Sequence, residues 1–241
     1  MTEKVPYLRL VTPESAIIKA ERLKALEQHD AEVAKEYEHD LGFKLATFKG
    51  MRVLDIGAGR GEFVRVARKN GVDAYGVTTE DLREVREVGG IEATTHIMPG
   101  TAASLEFPER IFDAVISRKE LPHRIRLHDA KTTELTGADA YRFRREGMYH
   151  ALNVLKPGGY LHLLEVPLNE TPDVYQRQED MQRLLADLRQ SPYIELVEEP
   201  IDMGRKVGTG ERRRTADIYR FLVRKKTEEE LHKMRPEVEP K

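Results

Sequence analysis

Val53-Leu54-Asp55-Ile56 runs without a break into Gly57-Ala58-Gly59-Arg60-Gly61 and then Glu62-Phe63. An apolar run, glycines at alternate positions and a helix-forming stretch read as a buried strand, a tight turn and a helix start. Such a segment leaves few choices. Glycine reaches positive φ and permits close backbone approach, and the first helical turn offers N–H groups that lack intrahelical acceptors. In an α/β sheet this turn lies at the carboxyl end of its strand, where nucleotide-like ligands are held. The spacing excludes two uses of such turns. Gly57-x-Gly59-x-Gly61 is neither the G-x-G-x-x-G dinucleotide fingerprint nor the G-x-x-x-x-G-K-[ST] phosphate loop.

The rest of the chain alternates between two periods. From Pro13 to Phe48 apolar residues (Ile17, Ala20, Leu23, Leu26, Val33, Ala34, Tyr37, Leu41, Leu45) recur at helical spacing, with Thr12-Pro13 as a start signal and Gly42 and Gly50 as interruptions. Residues 1–49 are therefore a helical N-terminal extension, which packs on the core or forms a lid over the substrate. Strands are expected at Arg52–Ile56, Ala74–Val77, Thr94–Met98, Phe112–Ser117, Tyr160–Val166, Tyr193–Val197 and Asp217–Val223. Helices are expected at Glu62–Lys69, Glu80–Val88, Tyr141–Leu155 and Asp173–Leu188, the third halted by Lys156-Pro157-Gly158-Gly159. Alternation over short connections predicts an α/β fold with a doubly wound parallel sheet. One connection is long: Arg118–Ala140 exceeds the usual length of roughly two to six residues. It follows the carboxyl end of the fourth strand, where α/β proteins build their sites. The charged run from Lys226, ending Pro-Glu-Val-Glu-Pro-Lys, predicts a frayed tail, giving segments 1–49, 50–225 and 226–241.

Four ordered segments resemble the class I S-adenosylmethionine-dependent methyltransferases, over roughly residues 50 to 225. Val53–Gly61 has the form of that family's V-L-D-x-G-x-G-x-G motif, and Gly76-Val77 ends a second strand as the family's does. Phe112-Asp113-Ala114-Val115-Ile116-Ser117 resembles its fourth strand, and Leu155-Lys156-Pro157-Gly158-Gly159 the segment before its fifth. The resemblance implies a seven-stranded, mostly parallel sheet with an antiparallel last strand, closed by a hairpin over Gly204–Thr215. It also implies S-adenosylmethionine as cofactor. Asp55 and the backbone of Gly57, Ala58, Gly59, Arg60 and Gly61 would hold its methionine moiety, Thr78 and Thr79 the ribose, and Gly100, Thr101 and Ala102 the adenine. Ser117 and Arg118 would border the same site. Two positions depart from the family pattern. Thr78 replaces the acidic residue that accepts the ribose hydroxyls, leaving Glu80 or Asp81 to share that task, and Thr101 replaces an aspartate in the adenine loop.

The acceptor is less legible. Methyl transfer needs alignment above all, and a base only when the nucleophile carries a proton of high pKa. Glu120, His123, His128 and Asp129 lie in the long connection, and of these His123 and Glu120 are the candidate catalytic residues. Ser117–His123 lacks the [DN]-P-P-[YF] motif of base-amine methylation. Cysteine is absent, which excludes disulfides, thiolate metal sites and C5-pyrimidine methylation. No His or carboxylate cluster has metal-binding spacing, so no metal is expected. Residues 118–149 carry eight Lys/Arg against five Asp/Glu, and residues 205–226 nine against two. Such a positive rim favours an anionic small-molecule acceptor. It leaves open an RNA or protein acceptor using the 205–226 hairpin, and a cofactor-binding scaffold without turnover. A homodimer is also open. No apolar run approaches the roughly 20 residues of a membrane span, and the N-terminus has no signal-peptide pattern. A cytoplasmic protein with no membrane partner is expected. Three Asn and five Gln against 40 Lys+Arg and 42 Asp+Glu suit a protein working hot, though composition alone does not decide it.

Overall fold

The computed structural model describes residues 13–83, 85–86, 95–118, 124–126, 132–134, 137–165, 174–202, 206–207, 214–215 and 219–234. The N-terminal helix α1 (Pro13–Leu41) precedes a 3₁₀ turn (Leu45–Phe48), β1 (Arg52–Ile56), α2 (Glu62–Lys69), β2 (Asp73–Thr78), β3 (Ile97–Pro99) and β4 (Phe112–Arg118). After β4 come a small antiparallel pair, β5 (Arg124–Arg126) and β6 (Thr132–Glu134), then α3 (Gly137–Val154) and β7 (Leu155–Glu165). The chain continues through α4 (Val174–Gln190), β8 (Ile194–Asp202), the pair β9 (Lys206–Val207) and β10 (Arg214–Thr215), β11 (Tyr219–Lys225) and α5 (Glu228–Lys233).

Seven strands form one sheet in the order β3-β2-β1-β4-β7-β11-β8. β11 runs antiparallel to both β7 and β8, and β1, β2, β3, β4 and β7 are mutually parallel, as expected from the sequence. The order reverses at β1, whose two neighbours are β2 and β4. That crevice is where open α/β sheets hold ligands. Side chains alternate along each strand and so feed two cores. Val53, Ala74, Ala114, Ile116 and Leu164 pack with Tyr37 and Leu41 of α1 and Phe63 and Val66 of α2. Leu54, Ile56, Val115, Leu161, Leu163 and Phe221 pack with Met148 and Ala151 of α3 and Leu184 and Leu188 of α4.

Several expectations needed adjustment. α1 stops at Leu41 because Gly42 adopts φ 69°, and a separate 3₁₀ turn follows. β3 starts later and is shorter than Thr94–Met98, since as an edge strand it pairs only with Gly76, Val77 and Thr78. β8 runs on to Asp202 because β11 supports it through register shifts. α3 ends at Val154, one residue before its expected end, and β7 starts at once at Leu155 and runs through Lys156–Gly159, where a turn was expected before a strand from Tyr160. The Lys225 ammonium reaches this junction from a distance, donating to Leu152 O in the last turn of α3 at 2.7 Å and to Leu155 O, the first residue of β7, at 2.9 Å. The segment expected to fray from Lys226 instead carries α5, with Thr227 and Glu230 in a reciprocal capping box. No described helix is long and apolar enough to cross a membrane.

Candidate cofactor site

The turn after β1 has the backbone its glycines allow. Gly57, Gly59 and Gly61 adopt φ of 81°, 52° and 77°. At Gly61 a Cβ would lie 2.1 Å from Ile97 Cδ1, so glycine there lets the turn sit against β3. Gly59 is the opposite case: its chain neighbours aside, no atom of the described residues lies within 4 Å of its Cβ position. The N–H groups of Gly57 and Ala58 both donate to Val77 O at 2.9 Å, which ties the turn to β2.

The open side of the turn borders a cavity of about 440 Å³. Gly57, Ala58, Gly59, Arg60 and Glu62 form one wall; His29, Glu32, Val33, Glu36 and Tyr37 of α1 form the other, with Arg118 at the end of β4. The N-terminal helix therefore both packs on the core and walls the site.

Tyr37 links these parts. Its ring stacks on Phe63 at 4.3 Å, and its hydroxyl donates to Asp55 Oδ2 over a long 3.4 Å. Burial, reinforced by the Asp55 charge, pushes the phenol well above its ordinary pKa, so it stays a donor. The Arg118 guanidinium lies 4.8 Å from the Tyr37 ring centroid. Its Nε donates to Asp40 Oδ2 and its Nη2 to Glu36 Oε2, each at 2.8 Å. Burial works against the Arg118 charge, but the Glu36 hydrogen bond and the Asp40 charge outweigh it and raise its pKa. The Asp40 side chain is completely buried, so this is a desolvated ion pair and not a surface one. Nearer the start of α2, His29 meets Glu62 at 3.0 Å, and Arg65 donates to Asp30 at 2.6 Å. Lys69 also bonds Asp30; together the two cations overcome its burial and hold the carboxyl below the usual range.

The residues expected to bind cofactor converge at one edge of the sheet, but not in one cavity. Asp55 is buried at the end of β1, under Tyr37. Thr78 is buried at the end of β2, where its hydroxyl accepts from Glu80 N at 3.1 Å, and Thr79 is exposed beside it. Asp81 is engaged with Arg83 at 2.7 Å. Gly100 N donates to Thr78 O at 2.9 Å, which holds the adenine-loop candidates against β2. Within that loop the Thr101 and Ser104 hydroxyls are 3.0 Å apart, and Ala102 is buried. Alternation along β4 puts Arg118 on the α1 face and Ser117 on the α3 face. The Ser117 hydroxyl is fully buried and has no hydrogen-bond partner among the described residues. Glu120, His123, His128 and Asp129 lie outside the described residues. Sequence reasoning had placed Tyr37 on an apolar helix face and had missed Glu36 and Asp40. A signal was present: Glu32, Glu36 and Asp40 recur every four residues, an acidic stripe beside Tyr37.

Residues 26–191 match the methyltransferase domain family, a span reaching from within α1 to just past the end of α4. The chain belongs to that family. Its members use S-adenosylmethionine as methyl donor. Sterol 24-C-methyltransferase of Yarrowia lipolytica is 29% identical over 144 residues, 57% of this chain and 33% of that protein. Cycloartenol-C-24-methyltransferase of Arabidopsis thaliana is 28% identical over 134 residues, 53% of this chain and 34% of that protein. The chain thus spans about a third of the length of these relatives. The solved structure of the PH0226 protein from Pyrococcus horikoshii shares the fold, with a TM-score of 0.53 at 20% identity, covering 80% of this chain and 91% of that one.

The residues present fit S-adenosylmethionine. The cavity falls within the range of about 300–1,000 Å³ common for cofactor pockets. Gly59 leaves open the space a side chain would fill, and the Glu32 carboxylate, beside Glu36 and Glu62 that also meet Arg118 and His29, suits a ligand bearing an ammonium.

Proposed function

We propose that this chain is an S-adenosylmethionine-dependent methyltransferase whose acceptor is an anionic small molecule. The observation that carries the cofactor half is the cavity between the open glycine turn and α1, at the carboxyl edge of β1 and β4. When bound, the cofactor supplies a methyl group activated by positive sulfur. In this reading Asp55 and the backbone of Gly57–Gly61 hold the methionine end. Thr78 and Thr79 meet the ribose, and Gly100, Thr101 and Ala102 flank the adenine. Val33 and Tyr37 keep water from that side, and the Arg118 ion pairs hold α1 in place.

A small-molecule acceptor is supported by the two relatives named for sterol and cycloartenol methylation. Its anionic character rests on charge and topology. The β5–β6 pair follows the carboxyl end of β4, and the β9–β10 pair follows the carboxyl end of β8, so both insertions belong to the cofactor edge. Residues 118–149 carry eight Lys/Arg against five Asp/Glu, and residues 205–215 five against one, whereas Arg224 and Lys225 lie at the far end of β11 and do not contribute to this edge. Charge of one sign around a cleft concentrates ligands of the other sign. Glu120 and His123 follow Arg118 closely in sequence and are the proposed base or acceptor-orienting groups.

The test has two parts. Calorimetry should show saturable binding of S-adenosylmethionine and of its demethylated product. Methyl-labelled cofactor, incubated with separated metabolite, RNA and protein fractions, should deliver label to anionic metabolites. Label in RNA or protein would replace the acceptor assignment, and binding without transfer anywhere would make the chain a scaffold. No cofactor binding would overturn the reading altogether.

A further inference from the structure

Two groups in the wall of the cofactor cavity form a pair of their own: His29 of α1 and Glu62, the first residue of α2. Nε2 of the ring lies 3.0 Å from Glu62 Oε1. An ionised carboxylate only accepts, so the neutral ring carries its proton on Nε2 and presents a lone pair on Nδ1. Nδ1 has no hydrogen-bond partner among the described residues. His29, Val33 and Tyr37 follow at intervals of four and share one face of α1, the face that walls the cavity. The neighbouring Asp30 is held by Arg65 and Lys69, which pins α1 to α2 at this turn. His29 and Glu62 are 47% and 39% exposed, so a proton taken up there can pass on to water.

We infer that His29 is the general base of the methyl transfer, with Glu62 holding its tautomer, and that the methyl group goes to a hydroxyl; this rests on the methyltransferase function proposed above. A base has work to do only where the nucleophile carries a proton of high pKa, and a hydroxyl is the group that needs one most. The acceptor's O–H bond breaks and its proton goes to Nδ1 of His29. The oxygen's freed pair forms the O–CH₃ bond, and the C–S pair returns to sulfur. One positive charge leaves sulfur and one appears on the imidazole, where the Glu62 carboxylate offsets it. The ring then gives its proton to water. Glu32 and Glu36 of α1, Arg60 of the glycine turn and Arg118 of β4 are the other charged groups lining the cavity, and among the described residues Glu62 alone is bonded to the ring. Glu120 and His123 then orient the acceptor and do not take its proton.

The experiment follows label from methyl-labelled S-adenosylmethionine, at saturating concentration, into whichever of the metabolite, RNA and protein fractions takes it up. His29→Gln should slow transfer at neutral pH by about a hundredfold or more, the worth of a general base. Glu62→Gln keeps an accepting oxygen and loses the charge, and should slow it roughly tenfold. Transfer by the native chain should rise with pH and then level off, whereas in His29→Gln it should keep rising as hydroxide replaces the imidazole. A structural role alone would lower the rate without changing the shape of that profile. Affinity for S-adenosylhomocysteine, by calorimetry, should stay within about fivefold of native in both variants, because the lost interaction is made only as the reaction proceeds. Without any turnover, diethyl pyrocarbonate should modify His29 in the free chain, read by peptide mass spectrometry, and saturating S-adenosylhomocysteine should block it. Circular dichroism melts check that both variants are folded. A native chain that binds no S-adenosylhomocysteine, or labels no fraction, would fail the methyltransferase function itself. Native transfer with an unchanged rate or pH profile in His29→Gln, or modification of His29 that S-adenosylhomocysteine leaves untouched, would overturn the base alone. Label on an atom other than oxygen would overturn the hydroxyl.

Discussion

At the scale of single residues, Tyr37 and Gly61 show how little separates packing from function. Tyr37 contributes apolar area by stacking on Phe63 and a polar contact by donating to Asp55. Tyr37→Phe separates the two. The stack survives, so the melting temperature should stay within a few degrees, while the Asp55 carboxylate loses a donor worth about 1 kcal/mol. Affinity for S-adenosylhomocysteine should then fall a few-fold by calorimetry, and unchanged affinity would show that the 3.4 Å contact is incidental. Gly61→Ala is harsher. It combines φ of 77° with a Cβ 2.1 Å from Ile97 Cδ1, and strain plus overpacking should cost about 1–3 kcal/mol in urea unfolding. Gly59→Ala meets no described atom but keeps the strain of φ 52°, so a stability loss of about 1 kcal/mol should accompany weaker cofactor binding.

At the scale of elements, α1 is held to the sheet by charge as well as by apolar packing. Arg118 joins the end of β4 to Asp40 and Glu36, and Asp30 joins α1 to Arg65 and Lys69 of α2. Removing one partner of a desolvated pair costs more than the pair contributes, because the other charge stays buried. Arg118→Met should therefore destabilise the protein by about 3–5 kcal/mol. Faster amide exchange in residues 30–41 should accompany that loss. Exchange no faster than in the native chain would mean that apolar packing alone fixes α1. α5 is held more locally. The Arg224 hydrogen bonds and the Thr227 backbone pull the Glu230 pKa down to about 2, and Thr227→Ala should fray α5 at a cost of about 1 kcal/mol. Exchange should rise over residues 228–233 alone, leaving the sheet unaffected.

At the scale of the whole molecule, His162 links stability to pH. Its pKa falls from about 6.5 to about 4 on folding, chiefly through burial. Between those values the unfolded chain binds the extra proton, so stability rises with pH. Its contribution is complete above about pH 6.5 and is lost as pH falls toward 4. The full difference is of the order of 3 kcal/mol. Denaturant unfolding from pH 4 to 7 should show this rise, and His162→Phe should flatten it whatever its absolute stability. An unchanged slope in the variant would assign the dependence to carboxylates instead.

Local rules sufficed for β1, the glycine turn and α2, since their signals lie within a dozen consecutive residues: apolar run, glycine spacing and helix start. The same holds for the doubly wound order of elements, which alternation alone implies. Edge strands were misjudged because their length depends on a partner: β3 ends where β2 stops pairing with it, and β8 extends as far as β11 supports it. The tail helix did carry a local signal, the Thr227-x-x-Glu230 capping box, which the surrounding charge obscured; Arg224, across a turn, adds ion pairs to Glu230 that sequence does not show. The site divides in the same way. Its floor, Asp55 and Gly57–Gly61, was legible in one motif. Its wall was not, since Tyr37 and Asp55 are 18 positions apart and Arg118 and Asp40 are 78. Helical periodicity marks Tyr37 as apolar and cannot say which carboxylate its hydroxyl will meet. The sequence by itself determined that β1 ends in a glycine turn of the kind suited to a nucleotide-like ligand. Only the tertiary structure decided that α1 walls the cavity beside that turn, because the ion pairs and the stack that bring α1 there join residues with no local relation.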